Sequence, residues 1–284
     1  MEKQIGPFTL YEKKPNDIRY GCLYTAEVNI PVPYNGKRTI RVFLPEGFDP
    51  SKKYPLLVMA DGQNIVDKYT TAFGSWNIDV RQHELIEEGY KPFIVLGIDS
   101  SPGLVERGYE YSFPQLKIIY WEKATFPKRE IVPYSHLFYE YVAKNLIPFV
   151  KQYFPISDDR KDIACGGSSM GGIFAISEIM LYPEVFGTAL IFSPGFFLYD
   201  NKQIKEFIDA NFNKLDSNNK LFLYSGNKGF EEKFLEDTKD IYNYFLQKGL
   251  DNKNVDLLVD LQAEHNEANW TKHFNEAVRY WQKS

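Results

Sequence analysis

A serine enclosed by glycines constrains the fold of this chain more than any other feature. Residues 165–172 read Cys-Gly-Gly-Ser-Ser-Met-Gly-Gly and contain Gly-x-Ser-x-Gly centred on Ser169. An apolar run at 162–165 predicts a buried strand before it, and 173–181 has the composition of a helix that stops before Pro183. A sharp strand-to-helix turn strains the serine backbone, and glycine neighbours let the strand, the helix and a ligand come close. We therefore predict that Ser169 is a nucleophile, the alternative being an ordinary tight turn.

Size and charge limit the classes of protein to which the chain can belong. With 284 residues, 44% of them hydrophobic, it can bury a substantial core. No Ser/Gly-rich linker, low-complexity segment or repeat divides it, so we predict one domain over 1–284. The net charge is -5 and charges of both signs alternate along the chain, which predicts no basic face for a nucleic-acid backbone.

The chain carries no signal for a membrane. Its first residues lack a basic segment followed by an apolar core, and no apolar run approaches membrane-spanning length. Only Cys22 and Cys165 are present, and Cys165 falls in the predicted core strand, so we expect no disulfide. We predict a cytoplasmic protein, the alternative being a secreted chain that has already been trimmed. The sequence leaves a homodimer open.

Strands alternate with helices along most of the chain. Two strands at 18–45 with a turn at 34–37 predict an antiparallel edge, and apolar runs predict buried strands at 54–60, 92–98, 162–165, 189–192, 220–224 and 255–259. Helical spacing falls at 76–89, 137–154 with a break at Pro148, 173–181, 203–212, 231–246 and 270–281. This pattern predicts an α/β fold with a central, mostly parallel sheet, an antiparallel N-terminal edge and helices on both faces.

Regular periodicity fails between Pro102 and His136. Seven aromatic side chains crowd this stretch: Tyr109, Tyr111, Phe113, Tyr120, Trp121, Phe126 and Tyr134. We interpret it as an aromatic-rich insertion or lid over the site, the alternative being a peripheral packing element. Aromatic residues make up 16% of the whole chain, and such a surplus often lines a groove for flat or sugar-like ligands.

A serine alcohol needs a base, and one of the four histidines is well placed to serve. His265 lies in a loop after the last predicted strand, level with Ser169, whereas His83 falls in a helix, His136 in a loop before the serine and His273 inside the final helix. His265 also follows the chain order serine, acid, histidine. We predict that His265 is the base, the alternative being a surface loop histidine.

The acid that orients this base should lie between the two, in the loop 227–232. Glu231 is the first candidate and Glu232 the second. Acidic residues are also common at helix starts because of the helix dipole, so Asp237, Glu264 or no acid at all stay open.

An oxyanion hole needs two preorganised N–H donors. We predict the backbone N–H of Met170, which follows the serine at a helix N-terminus, and that of Gln63, which follows the strand 54–60. The alternative for 61–64 is a plain turn. No metal site or cofactor is predicted, because the chain has no His-Glu-x-x-His, no Cys-x-x-Cys, no clustered histidines and no phosphate-binding Gly-x-x-x-x-Gly-Lys.

Several stretches together resemble the putative esterase family, which groups enterobactin-esterase-like siderophore hydrolases with feruloyl and acetylxylan esterases and S-formylglutathione hydrolases. The resemblance runs from about residue 38 to the C-terminus and is carried by 54–64, Ile98-Asp99, Arg107-x-x-Glu110-Tyr111, 167–172, 182–187, Ser193-Pro194 and Glu264-His265-Asn266-Glu267-x-x-Trp270. These matching positions include the candidate substrate-binding residues Asp61, Asn64, Arg107, Tyr111 and Trp270.

The resemblance implies a single α/β-hydrolase domain and ester hydrolysis through an acyl-enzyme. Ser169 would be the nucleophile, His265 the base, and Gln63 and Met170 the oxyanion hole. Many relatives carry a glutamate where this chain has Gly229, and relatives often carry one where it has Asn145, which leaves the acid open between a glutamate and a plain serine–histidine pair.

We expect a bulky, aryl, sugar-linked or siderophore ester as the substrate. The alternatives are an acyltransferase that uses the same serine and a non-catalytic binding module.

Overall fold

One mixed sheet of ten strands runs through the residues that the structure describes. The computed structural model describes residues 2–12, 18–33, 35–66, 74–116 and 134–283. The strands are β1 Gln4–Ile5, β2 Phe8–Leu10, β3 Cys22–Asn29, β4 Lys37–Leu44, β5 Leu56–Ala60, β6 Ile94–Ile98, β7 Ile163–Ser168, β8 Thr188–Phe192, β9 Lys220–Gly226 and β10 Val255–Asp260. Their order across the sheet is β1-β2-β3-β4-β6-β5-β7-β8-β9-β10.

The sheet changes direction at β6. Strands β1 to β4 pair antiparallel, β4 joins β6 antiparallel, and all pairs from β6 to β10 are parallel. Every residue of β5, β6, β7 and β8 is buried, as expected of parallel strands that are covered on both faces. The predicted α/β fold with an antiparallel N-terminal edge is confirmed. The hairpin β1–β2 was not predicted, because strands this short show no measurable alternation.

Helices cover both faces of the sheet. They are α1 Ile78–Glu87, α2 Leu104–Glu110, α3 Ser135–Tyr141, α4 Ile147–Lys151, α5 Met170–Leu181, α6 Asn201–Phe212, α7 Glu232–Gln247, α8 Glu267–Trp270 and α9 Phe274–Gln282. One apolar cluster contains Phe174 of α5 and Ile241 of α7, and a second contains Leu85 of α1 and Trp281 of α9. The two clusters place the core on opposite sides of the sheet. Among the described residues no helix is long and apolar enough to span a bilayer.

Local differences from the sequence predictions fall between β6 and β7. Residues 104–110 form α2, although no helical period was predicted there, and His136 lies in α3 rather than in a loop. The break predicted at Pro148 is a π turn over Val142–Leu146, because proline offers no N–H to continue the α-helical ladder. The predicted insertion or lid at 102–136 stays a prediction, since 117–133 lie outside the described residues.

Helix α5 carries a fully buried carboxyl group, that of Glu178. Glu178 is 0% exposed, and neither of its carboxyl oxygens has a hydrogen-bond partner in the described part of the chain. Burial therefore raises the pKa of Glu178 well above its ordinary value of 4.5. The side chain is held neutral in the folded protein, whereas it ionises in the unfolded chain.

This difference in pKa predicts a pH-dependent stability. The folded state binds the Glu178 proton above pH 4.5 and the unfolded state releases it, so the free energy of unfolding should fall as pH rises. One proton gives a slope of up to about 1.4 kcal/mol per pH unit. We expect Glu178→Gln to remove this contribution in urea titrations that start at pH 5 and proceed upward, by up to that amount per unit until the folded-state pKa is passed. Glu184→Gln, at an exposed position, is the control, and an identical slope in both variants would contradict the interpretation.

Candidate active site

Three neighbouring strands are each followed by a residue with a positive φ angle. The residues that directly follow β5, β7 and β8 are Asp61, Ser169 and Ser193, and their φ angles are 54°, 60° and 40°. Residues other than glycine rarely adopt a positive φ angle. The backbone strain costs of order 1 kcal/mol or more at each position. The three strands are adjacent in the sheet. Backbone strain is therefore concentrated at one part of the carboxyl edge, which is where ligands bind in open α/β sheets.

Ser169 occupies a strand-to-helix turn of the kind that the sequence predicts. It follows β7, precedes α5 and has φ 60° and ψ -120°. Its N–H donates to the carbonyl of Phe192 at 2.9 Å, and its carbonyl accepts from the N–H of Gly195 at 3.1 Å. A Cβ at Gly167 would lie 2.6 Å from the carbonyl oxygen of Gly171, so the turn closes only with glycine at that position.

His265 and Glu231 meet at the same edge. The Nδ1 of His265 is hydrogen-bonded to Oε2 of Glu231, whose side chain is fully buried and accepts the N–H of Gly226 at 3.0 Å. Since a carboxylate only accepts, the ring proton lies on Nδ1 and the lone pair on Nε2. Glu232 begins α7 and is exposed. Of the two candidate acids, only Glu231 contacts the histidine.

Ser193 connects this pair to the Ser169 turn. Its hydroxyl donates to Oε1 of Glu231 and accepts the indole N–H of Trp270 at 2.9 Å. The preceding residue, Phe192, holds the Ser169 N–H. A continuous set of hydrogen bonds therefore runs from the serine turn through 192–193 to Glu231 and His265. In the sequence, Ser193 stands out only as part of a family motif. Its hydrogen-bond partners are distant in the chain, so the residues next to it do not predict these bonds.

The turn after β5 carries the other predicted donor, Gln63. The N–H of Ser100 donates to its side-chain carbonyl at 3.1 Å, and its side-chain amide donates to the Ser100 hydroxyl at 3.2 Å. A Cβ on Gly171 in α5 would lie 3.1 Å from the Cβ of Ala60, the last residue of β5. The first turn of α5, which begins with Met170, therefore lies against the strand end that leads to Gln63.

A partly buried ion pair holds that turn. Arg107 binds Asp61 through two hydrogen bonds of 2.7 and 2.6 Å, and the Asp61 N–H donates to the hydroxyl of Tyr111 at 3.1 Å. Tyr111 is 0% exposed. Burial alone would lower the pKa of Arg107, but the neighbouring Asp61 raises it, so the guanidinium stays charged.

The same turn is tied to α8. The side-chain amide of Asn64 donates to Oε1 of Glu267 at 2.8 Å, whereas Oε2 of Glu267 is buried without a hydrogen-bond partner among the described residues. Burial raises the pKa of Glu267. Trp270, at the other end of α8, is 3% exposed. Of the five residues predicted to bind substrate, Asp61, Arg107 and Tyr111 form one network, whereas Asn64 binds Glu267 and Trp270 binds Ser193. Their contact with substrate stays a prediction.

Metal ligands are not clustered in the described residues, where no group of three or more His, Cys, Asp or Glu side chains could hold an ion. Cys22 and Cys165 are both buried, and no disulfide joins them.

A family model described as Putative esterase matches residues 33–281 of the sequence. The chain belongs to the putative esterase family. As a member of this family it is a carboxylic ester hydrolase, which agrees with the strained serine turn and the buried Glu231–His265 pair. No curated protein sequence matches the esterase significantly.

Solved structures with the same fold include three proteins of low sequence identity. The BES protein from Bacillus cereus is 17% identical, with a TM-score of 0.70 over 96% of this chain and 100% of that one. The enterobactin esterase FES from Shigella flexneri is 17% identical, with a TM-score of 0.68 over 91% of this chain and 58% of that one. The feruloyl esterase module from Clostridium thermocellum is 17% identical, with a TM-score of 0.63 over 99% and 96% of the two chains.

Proposed function

We propose that this esterase cleaves its substrate through an acyl-enzyme formed on Ser169, with His265 as the base and Glu231 as the acid that orients it. The observation that carries the proposal is the hydrogen-bonded network from the Ser169 turn through Phe192, Ser193 and Glu231 to His265. Such a network fixes both the position and the tautomer of the imidazole.

Each step follows from the proton on Nδ1 of His265. The Ser169 hydroxyl attacks the ester carbonyl carbon while Nε2 of His265 takes its proton, and the buried Glu231 carboxylate stabilises the imidazolium. Collapse of the tetrahedral intermediate breaks the ester C–O bond, and Nε2 returns the proton to the leaving alcohol. A water molecule then attacks the acyl-serine by the same route and releases the acid and free Ser169.

The negative oxygen of each tetrahedral intermediate would be bound by the backbone N–H groups of Met170 and Gln63. The contact between the first turn of α5 and the end of β5 supports this pairing. Two hydrogen bonds between the Gln63 side chain and Ser100 hold the turn that carries Gln63. The ion pair between Asp61 and Arg107 also holds this turn. Donors that are fixed before the reaction stabilise the charge without the cost of reorganisation.

Aromatic side chains beside His265 favour a bulky ester. Phe230 is 51% exposed and lies edge-on to the imidazole with ring centroids 5.4 Å apart, and Phe234 stacks on the imidazole at 4.3 Å. A flat acyl or alcohol group could pack against the exposed face of Phe230. Shigella flexneri FES was solved with enterobactin and the Clostridium thermocellum module with sinapinate, which supports a bulky aryl or siderophore ester here. A cytoplasmic location and a homodimer stay predictions.

Covalent labelling tests the proposal. The native protein should hydrolyse p-nitrophenyl butyrate and react with a fluorophosphonate at one residue, which peptide mapping should identify as Ser169, because only an activated serine reacts quickly. Heat-denatured protein is the control and should not be labelled. A label on another serine, or intact folding without either reaction, would contradict the assignment.

A further inference from the structure

A second cleft opens at the opposite end of the parallel strands. Its volume is about 890 Å³, and its walls include Pro55 before β5, Thr188 at the start of β8 and Lys220 at the start of β9. The catalytic residues proposed above follow the carboxyl ends of β7, β9 and β10, which belong to the same parallel part of the sheet. A strand of five or six residues separates the two sites by roughly 15–20 Å. The cleft is therefore separate from the ester-cleaving machinery.

Five lysines line this cleft: Lys91, Lys161, Lys220, Lys253 and Lys283. None of them forms an ion pair with a carboxylate in the part of the chain that the structure describes, whereas ten other described lysines do. A cleft lined by charges of one sign focuses the electric field and raises the local concentration of counter-ions. The grouping therefore attracts anions.

The three aspartates in the cleft wall offset only part of the charge of the five lysines. Asp159 accepts the N–H of Lys161 at 2.9 Å, Asp162 accepts the hydroxyl of Ser157 at 2.7 Å, and Asp256 accepts the N–H of Leu257 at 2.9 Å. Each carboxylate is thus bound to groups close to it in the chain. The local charge of the cleft is positive in a chain whose net charge is -5.

Lys220 lies at the centre of this arrangement. Its ammonium group donates to the backbone carbonyl of Lys283 and lies 5.8 Å from the centroid of the Tyr280 ring. Burial, together with the charges of Lys283 and Lys161, lowers the pKa of Lys220. The three lysines are therefore close enough to repel one another, and a bound anion would relieve the repulsion.

We propose that this cleft, lined by Lys161, Lys220, Lys253 and Lys283, binds a small polyanion with two or more phosphate or carboxylate groups. The volume is within the usual range for a small-molecule site and far larger than a single phosphate needs. Lysine binds phosphate and carboxylate oxygens as a point charge. The cleft therefore selects a ligand by its negative charge and not by the planar geometry of its anionic groups. The site is independent of the proposed ester hydrolysis.

Calorimetric titration with two probes, inorganic pyrophosphate and citrate, tests the site. We expect saturable 1:1 binding of at least one probe at low salt, weakened by 0.5 M NaCl because the charges are partly screened. Binding of pyrophosphate alone would identify phosphate compounds as the ligand class, and binding of citrate alone would identify carboxylates. Failure of both to bind saturably would overturn the proposal.

Paired variants locate the binding. Lys161→Gln with Lys220→Gln should weaken the probe at least about 10-fold, since two of the converging charges are lost. Lys202→Gln with Lys239→Gln removes the same charge from helices outside the cleft and should leave affinity unchanged. Equal losses in both pairs would refute a built site. Should the first pair not fold, Lys253→Gln with Lys283→Gln, at exposed positions, gives the same test.

Discussion

Ser169→Ala should lower kcat for p-nitrophenyl butyrate by about 10³- to 10⁶-fold with little change in KM, because the nucleophile acts only after the substrate is bound. The turn should survive the change. Its hydrogen bonds to Phe192, Gly172 and Gly195 all use the backbone of residue 169, so removal of the hydroxyl leaves them in place. Stopped assays with the purified variant, at protein concentrations high enough to detect residual turnover, measure the loss.

The adjacent serine offers a matched control. Ser168 ends β7 and is 6% exposed, and the proposed mechanism gives its hydroxyl no role. Ser168→Ala should therefore keep kcat within a few-fold of the native value. If Ser169→Ala kept its activity and Ser168→Ala lost it, Ser168 would be the nucleophile instead of Ser169. Activity retained in both variants would refute a serine nucleophile in this turn.

Glu231→Gln should lower kcat by about 10³- to 10⁴-fold, since an amide can offer its N–H to Nδ1 and so favour the wrong tautomer of His265. The shape of the side chain is preserved, as are the partners Ser193 and Gly226, so a loss of activity would report chemistry rather than packing. Circular dichroism and a thermal melt of the variant check that it is folded, and kcat and KM are measured separately.

Two further variants grade this effect. Glu232→Gln alters an exposed neighbour and should leave kcat unchanged. Ser193→Ala keeps the carboxylate but removes its bond to Oε1, and should cost about 10-fold in kcat, the effect of a lost hydrogen bond of about 1–1.5 kcal/mol. Full activity in Glu231→Gln would support the serine–histidine pair that the sequence left open.

The strand, turn and helix around Ser169 could be predicted because their signals are local. Small residues, an apolar run before them and a helix after them lie within about 20 residues of one another. His265 could be placed for a similar reason, since a loop that follows the last parallel strand must lie at the same edge as the other strand ends. Both inferences depend only on topology.

The choice between Glu231 and Glu232 could not be made from sequence. It depends on the phase of a single 3-10 turn, in which Gly229 adopts φ 63° and directs Glu231 inward and Glu232 outward. Gly229 also explains the departure from the family pattern, because the carboxyl group that contacts His265 comes from two residues further along.

The lysine cleft could not be predicted from sequence for a different reason, since its residues come from separate parts of the chain and meet only in the folded sheet.

The dipeptide Phe192-Ser193 contacts both the proposed nucleophile and the proposed acid. The carbonyl of Phe192 accepts the N–H of Ser169, and the hydroxyl of Ser193 donates to the carboxylate of Glu231. The spacing between the Ser169 turn and Glu231 is therefore set by one peptide unit at the end of β8 rather than by two separate loops.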